Sequence, residues 1–191
     1  MSKYFRYFPT TVNDLTQTGE QIEVTNILKR FAFRPEIGKN DSVFYDYVVQ
    51  DGDRPDTIAE KYYGDSRHAW IVLHFNNIHD PIFDWPLFGK NFEDFIDGKY
   101  GSASTAQSTV HEYRKILTQR SIRYDGSIVP EKYVVVDETT YNATSPALKR
   151  LITKYDYEME LNEERGKIKL LDERYLADCL AEVKTVLKSN V

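Results

Sequence analysis

The sequence predicts an α+β fold with an extended N-terminal arm, a strand–helix–helix–strand unit, and a C-terminal β-hairpin followed by a helix. Three stretches carry this prediction. In YVVQDGDRPDTIAEKYYGD (residues 47–65), a β-branched run meets an acidic turn and then a helix that Gly64 ends. Residues 155–161 alternate apolar and acidic side chains, as a half-buried strand does. Residues 176–187 place apolar side chains at helical spacing.

Residues 1–42 are predicted to form an irregular arm. Its YFRYFP segment is aromatic and ends at Pro9, and the polar TTVNDLTQTGEQ that follows predicts a loop. The segment VTNILKRFAF predicts a short helix capped by Asn26. An aromatic arm of this length can pack on its own domain or on a neighbouring protein, and both alternatives stay open.

Residues 43–96 are predicted to form a compact unit, in which the residues indicate the first strand and the two helices. Its first segment has the aromatic and β-branched residues of a strand, and DGD has the chemistry of a turn. Asp53 is placed to cap the first helix, with Pro55 in its first turn. The second helix is expected over residues 66–76, with Leu73 and Trp70 packed in the core.

Residues 97–109 are rich in Gly, Ser, Thr and Ala, which predicts an exposed linker or loop and a domain boundary. Residues 110–191 are predicted to form a β-rich segment with a C-terminal helix. Within this part, Asp125 and Gly126 indicate a turn, and KYVVVDE indicates a strand.

The alternation in residues 155–161 predicts a hairpin with residues 166–170. Pairing Leu161 with Gly166 places the acidic side chains opposite lysines on one face and the apolar side chains together on the other. The final helix is expected to begin after a cap at Asp172.

Composition limits the classes of partner. The net charge is −5 and the sequence pI is about 5.4, without a basic block, so we expect neither a nucleic-acid nor a membrane partner. The one cysteine, Cys179, lies on the apolar face of the final helix, where a packing role is expected. The first residues lack the apolar region of a secretion signal, so we expect synthesis and assembly in a cytoplasm.

Signals for catalysis are sparse. No serine-hydrolase motif, phosphate-binding glycine loop or C-x-x-C pair occurs in the sequence. No two histidines have the i, i+4 spacing that presents two imidazoles on one helix face; the four are His68, His74, His79 and His111. The sequence therefore predicts no catalytic residue, no cofactor and no metal site.

The unit from Tyr47 to about Pro86 resembles the LysM module. The matching residues are Tyr47, Val49, Asp51, Gly52, Asp53, Ile58, Ala59, Tyr62, Tyr63, Gly64, Trp70, Leu73, Asn76 and Pro81. Two features depart from the module. Arg54 and Pro55 stand where a small hydroxyl residue and a leucine are usual, and the closing apolar strand is not evident in FDWPLFGKNFEDF.

The longer pattern is similar to the small LysM-like baseplate wedge subunits of contractile-tailed bacteriophages (myoviruses). It comprises YYGDSRHAWIVLHFNNIHDPIFDWP, the aromatic arm and the C-terminal hairpin with its helix. The resemblance implies a structural subunit in the tail baseplate of the virion, assembled in the host cytoplasm and without enzymatic activity. Its implied partners are other wedge and hub proteins, with several copies per particle joining neighbouring wedges in a sixfold ring. A LysM-type peptidoglycan- or chitin-binding module of a cell-wall protein is the alternative.

The resemblance and the aromatic content direct the choice of interface residues. Tyrosine and other aromatic side chains are enriched where proteins contact each other. The predicted protein-interface residues are Tyr4, Phe5, Tyr7, Phe8, Arg67, His68, Trp85 and Phe88.

Overall fold

The computed structural model describes residues 4–14, 17, 19–33 and 42–188, and the chain divides into two units. Unit 1 combines residues 1–86 with 165–191, and unit 2 comprises residues 87–164. Unit 2 is therefore inserted within the sequence of unit 1. These boundaries differ from the predicted ones at residues 42, 96 and 109, because the C-terminal part of the chain completes unit 1.

The α-helices and β-strands of the described residues are numbered in chain order. Those before residue 87 are β1 (Thr10–Asn13), β2 (Ile22–Thr25), β3 (Phe44–Val48), α1 (Pro55–Tyr63) and α2 (Ala69–Phe75). Those that follow are α3 (Lys90–Tyr100), α4 (Ala103–Ser108), β4 (Val110–Thr118), β5 (Ser121–Ile122), β6 (Ile128–Val129), β7 (Lys132–Val136), α5 (Glu138–Ala143), β8 (Lys149–Thr153), α6 (Lys154–Arg165), β9 (Lys167–Leu171) and α7 (Leu176–Lys188).

The central sheet of unit 1 pairs β3 with β9 in antiparallel register, from Phe44 opposite Leu171 to Val48 opposite Lys167. Helices α1 and α2 pack together, and α2 also contacts β9. The side chain of Ile71 is fully buried, in a core that also contains Ile58, Val72 and Leu170. The strand that pairs with β3 therefore lies after unit 2 in the sequence.

The predicted hairpin of residues 155–161 with 166–170 is wrong. Its first half is the helix α6, and its second half is β9, whose partner is β3. A reciprocal cap begins the helix, since Thr153 N donates to Asp156 Oδ2 and Asp156 N donates to Thr153 Oγ1, both at 3.1 Å. Glu, Met and Leu also favour helix over strand, so helix propensity prevails over a short alternation.

Two predictions for the arm are also wrong. The segment predicted as a polar loop contains β1 and forms a hairpin, with Thr10 opposite Thr25 in β2. The short helix predicted around Asn26 is absent from residues 26–33, where the Asn26 side chain instead accepts a hydrogen bond from Leu28 N in a turn. The remainder of the predicted arm, residues 34–41, lies outside the described residues.

Unit 2 contains a three-stranded sheet in the order β7-β4-β8. The linker predicted over residues 97–109 is wrong, because α3 extends through Tyr100 and α4 follows at once. Ser102 caps α4 by accepting a hydrogen bond from Thr105 N. Small hydroxyl residues that are typical of a linker act here as helix caps.

Several short-range predictions are confirmed. Gly64 ends α1 with a left-handed φ of 68°, and Gly126 forms the predicted turn with a φ of 82°. Asp172, predicted to cap the final helix, instead caps the 3-10 turn Glu173–Tyr175 that precedes α7, by accepting a hydrogen bond from Arg174 N. Burial, together with the charge of Glu182, raises the pKa of Cys179 to about 12, which agrees with a packing role.

Asp53 does not cap α1. Arg54 occupies the cap position, and its N–H donates to Thr57 Oγ1 at 2.9 Å. Asp53 is buried one residue earlier and accepts hydrogen bonds from side chains on β3 and α1.

Within the described residues, no helix has the length and apolar character needed to cross a bilayer.

The Asn76 side chain joins α2 to β9. Its amide donates to Lys169 O at 2.8 Å and to Val72 O at 2.7 Å, and its oxygen accepts from Lys169 N at 2.7 Å. We expect Asn76→Ala to lower the free energy of unfolding of unit 1 by about 2 kcal/mol, because two partly buried backbone groups of Lys169 lose their partner. Both tryptophans lie in unit 1, so urea denaturation followed by tryptophan fluorescence measures this loss.

The matched control for this prediction is Asn13→Ala, at an exposed residue of β1 in the same unit. We expect it to change the stability by less than about 0.5 kcal/mol. Equal stabilities of the Asn76→Ala variant and the wild-type protein would contradict the role assigned to the amide.

Candidate protein-docking surface

The described part of the N-terminal arm packs on its own unit. Tyr4–Tyr7 forms a turn of 3-10 helix, and the Tyr4 ring lies 5.2 Å from the Trp70 ring of α2. The Tyr4 hydroxyl oxygen is 3.3 Å from His74 Nε2, and the Tyr4 ring meets Phe8 edge-on at 4.9 Å. Aromatic contacts of this kind stabilise the arm beyond the area they bury.

A second aromatic segment approaches α2 from residues 31–33. The Phe31 ring stacks on His74 at 4.9 Å, and the Phe33 ring stacks on Phe75 at 4.0 Å. Burial lowers the pKa of His74, and the nearby His79 lowers it further. His74 is therefore a neutral aromatic member of this cluster at neutral pH.

The two segments and α2 surround an open groove of about 970 Å³. Its lining is mainly aromatic, and it includes Phe5, whose side chain is about half exposed at 48%. Ile27 also lines the groove, and both Ile27 and Leu28 are exposed. Lys29 and Arg30 also line the groove, so it combines aromatic surface with positive charge. A concavity with exposed apolar residues at its rim is suited to receive side chains of another protein.

A second exposed apolar feature follows α2. Ile82 and Phe83 are 74% and 72% exposed on a turn that hydrogen bonds hold in place. The Asp80 side chain accepts from the N–H of both residues, and Asp84 Oδ2 accepts from Asp80 N. The turn therefore presents two apolar side chains to solvent in a defined conformation. We define the groove and this turn together as the unit 1 apolar surface.

The structure brings only some of the predicted interface residues to this surface. Tyr4, Phe5 and Phe8 line the groove, although Phe8 is buried. His68 is buried, and Arg67 is exposed but engaged with the Asp65 carboxylate at 2.8 and 2.9 Å. The other predicted residues lie apart from the groove lining: Tyr7 is half-buried, Phe88 belongs to unit 2, and Trp85 is buried.

Trp85, one of the predicted interface residues, is buried within unit 1. Its indole Nε1 donates to Asp53 O at 3.0 Å, so the ring completes the core of unit 1. The neighbouring Ile82 and Phe83 are exposed instead, and sequence reasoning missed them. The clue was the Asp80–Pro81 pair, because an aspartate before a proline often begins a turn that holds the next residues at the surface.

The described residues contain no group of three or more His, Cys, Asp or Glu side chains that could hold a metal ion.

Residues 3–145 match a protein family described as Base plate wedge protein 53. The chain belongs to the base plate wedge protein 53 family. This match covers about three quarters of the 191 residues and spans sequence from both units.

Membership assigns the chain a structural role in the baseplate of a phage tail, in contact with other baseplate proteins. Comparison with curated proteins gave no match. The unit 1 apolar surface is accordingly a candidate for the contacts that a base plate wedge protein makes.

Proposed function

We propose that this base plate wedge protein is a connecting subunit, which joins wedge proteins and neighbouring wedges around the central hub by protein–protein contacts. The observation that carries the proposal is the unit 1 apolar surface in a member of this family. Large exposed apolar side chains held in a fixed conformation are typical of residues that become buried on assembly. Assembly takes place in the host cytoplasm, with several copies in a sixfold baseplate.

We infer that unit 1 is a LysM-like module that docks proteins. Its β3-α1-α2-β9 order and antiparallel β3–β9 pair support this inference. The closing strand, which is not evident after Pro86 in the sequence, corresponds to β9 once the inserted unit 2 is taken into account. The family match favours protein docking over the alternative of glycan binding.

Charged substitutions on the unit 1 apolar surface test the proposed function. We expect Phe5→Asp and Phe83→Asp each to reduce incorporation of the chain into baseplates by about tenfold, because each buries a charge in an apolar contact. Complementation of a phage lacking the protein, with baseplates separated by sedimentation, measures the effect. Tyr124→Asp, at a fully exposed tyrosine of unit 2, is the matched control.

Thermal unfolding of each variant separates lost contacts from lost folding, because exposed positions should tolerate these changes. Normal incorporation of both folded Phe variants would contradict the role of this surface. Retention of the wild-type protein on chitin or peptidoglycan, together with its absence from baseplates, would instead support the cell-wall alternative.

A further inference from the structure

The two edges of the unit 2 sheet differ in chemistry. At the β8 edge, Lys149 and Arg150 place charges on the strand, and Ile152 is buried. At the β7 edge, Tyr133, Val134 and Val135 are uncharged and 42%, 41% and 59% exposed. Charges on an edge strand discourage pairing with other chains. The β8 edge carries two such charges, whereas β7 carries one, Lys132, at its first residue.

The outer edge of β7 also has free backbone hydrogen-bonding capacity. Within the part of the chain that the structure describes, β7 pairs with β4 alone. In an antiparallel pair every second residue directs its N–H and C=O away from the partner strand. Among the described residues these groups of β7 have no neighbouring strand, and the side chains on both faces of β7 are partly exposed.

The side chains of β7 are arranged to receive an extended segment. Tyr133 and Val135 lie opposite Ile116 and Arg114 of β4 and therefore share one face, whereas Val134 points to the other. The guanidinium of Arg114 lies 4.1 Å from the centre of the Tyr133 ring and orients it. The edge thus offers an ordered apolar side chain on one face and a β-branched one on the other.

The charges at the ends of β7 indicate the chemistry of the segment. Asp137 caps α5 by accepting from Thr139 N and Thr140 N, and Glu131 accepts from Arg150 at 3.0 Å. Lys132 is exposed and has no carboxylate partner among the described residues. An incoming segment with an acidic side chain near Lys132 would therefore complement the edge.

In one antiparallel register, a second copy of the chain meets like charges at this edge. In the antiparallel pairing that brings Lys132 of one copy opposite Asp137 of the other, Glu131 faces Glu138. Like charges directly opposite destabilise a strand pair, and Asp137 is already engaged in its cap.

We propose that β7 binds an extended segment of another baseplate protein, which adds a fourth strand to the unit 2 sheet. The segment lies about 4.8 Å from β7, covers Tyr133 and Val135 with apolar side chains, and places a carboxylate near Lys132. This inference rests on the proposed function as a baseplate subunit. It concerns a surface distinct from the unit 1 apolar surface.

Amide hydrogen exchange tests the inference in the free protein and in purified baseplates that contain it. We expect the outward amides of residues 132–136 to exchange about tenfold more slowly in the baseplate, because they gain hydrogen bonds. Exchange of the β8 amides is the internal control and should not change. Val135→Lys should reduce incorporation about tenfold, whereas Leu151→Lys on β8 should not.

The outcomes separate this inference from the proposed function. Normal incorporation of the wild-type protein with unchanged exchange at residues 132–136, or with protection at β8 instead, overturns the inference alone. Failure of the wild-type protein to enter baseplates overturns both. A free protein that is dimeric with β7 protected identifies a second copy as the occupant and also overturns the inference. If Val135→Lys does not fold, Lys132→Glu tests the inference in its place. We expect Lys132→Glu to reduce incorporation into baseplates, and normal incorporation would contradict the inference.

Discussion

Replacing Asp53 with alanine is expected to lower the free energy of unfolding of unit 1 by about 3 kcal/mol. The buried carboxylate accepts from Tyr47 Oη at 2.6 Å, Gln50 N at 3.0 Å and Lys61 Nζ at 2.9 Å. Its removal leaves the partly buried tyrosine hydroxyl and Gln50 N–H without a partner. Urea denaturation followed by tryptophan fluorescence measures the loss.

Asp51→Ala is the matched control, because Asp51 is an exposed residue of the same turn. We expect it to change the stability by less than about 0.5 kcal/mol. A similar loss in both variants would show that the turn, and not the buried carboxylate, accounts for the effect.

The pH dependence of unit 1 stability gives a second measurement of the contacts that Asp53 makes. Burial raises the pKa of Asp53, but the hydrogen bonds from Tyr47, Lys61 and Gln50 outweigh it and lower the pKa below the ordinary value of 3.8. The stabilisation is therefore present above the unfolded-state pKa and is lost as the pH falls through the lower folded-state pKa. Asp53→Asn should reduce the acid dependence of unit 1 stability, and an unchanged acid profile would contradict this assignment.

The tyrosine in this cluster responds at the opposite end of the pH range. The hydrogen bond to Asp53, with burial and the carboxylate charge, raises the pKa of Tyr47 to about 12. The stabilisation that this hydrogen bond gives unit 1 is present below the ordinary tyrosine pKa of 10. It is lost as the pH rises towards 12.

Replacing Arg114 with methionine is expected to destabilise unit 2 by about 2 to 3 kcal/mol. The buried guanidinium donates to Glu112 at 2.5 Å and to Glu160 at 2.9 Å, and it packs on the Tyr133 ring. Methionine fills much of the volume but leaves two neighbouring carboxylates without their cation. Partial hydration of Glu160, whose side chain is 40% exposed, limits the loss.

Far-UV circular dichroism during urea denaturation measures this effect, because unit 2 contains no tryptophan. The control is Arg150→Met, which removes an ion pair with Glu131 from a side chain that is 50% exposed. Exposed ion pairs contribute little, so we expect a loss below about 1 kcal/mol. Equal losses in the two variants would contradict the importance of burial.

The outcome for residues 154–165 shows where a local pattern misleads. Tyr155, Tyr157 and Met159 alternate with acidic residues, which predicts a strand, yet the segment forms α6. In the helix, Tyr155 meets Phe92 at 5.8 Å and Glu158 accepts from Lys99 Nζ at 2.7 Å. These contacts depend on α3, so an alternation over a few residues does not reveal them.

The candidate docking surfaces were only partly predictable. The aromatic arm indicated Tyr4 and Phe5 because both residue type and position are visible in the sequence. Exposure is a property of packing, however, and it separates Phe83 from the buried Trp85 only two residues later. The open edge of β7 depends on which strand pairs with which, and strand composition alone does not determine that.

The sequence by itself determined the elements whose signals are local, and it carried the resemblance to a family that the match over residues 3–145 shows. Gly64, the turn at Gly126, β3 and α7 belong to this group, because backbone conformation and short-range periodicity specify them. Only the tertiary structure decided the pairing of β3 with β9 around the inserted unit 2, and the burial of Asp53. Strand pairing and burial arise from contacts between residues far apart in the chain, which no local pattern encodes.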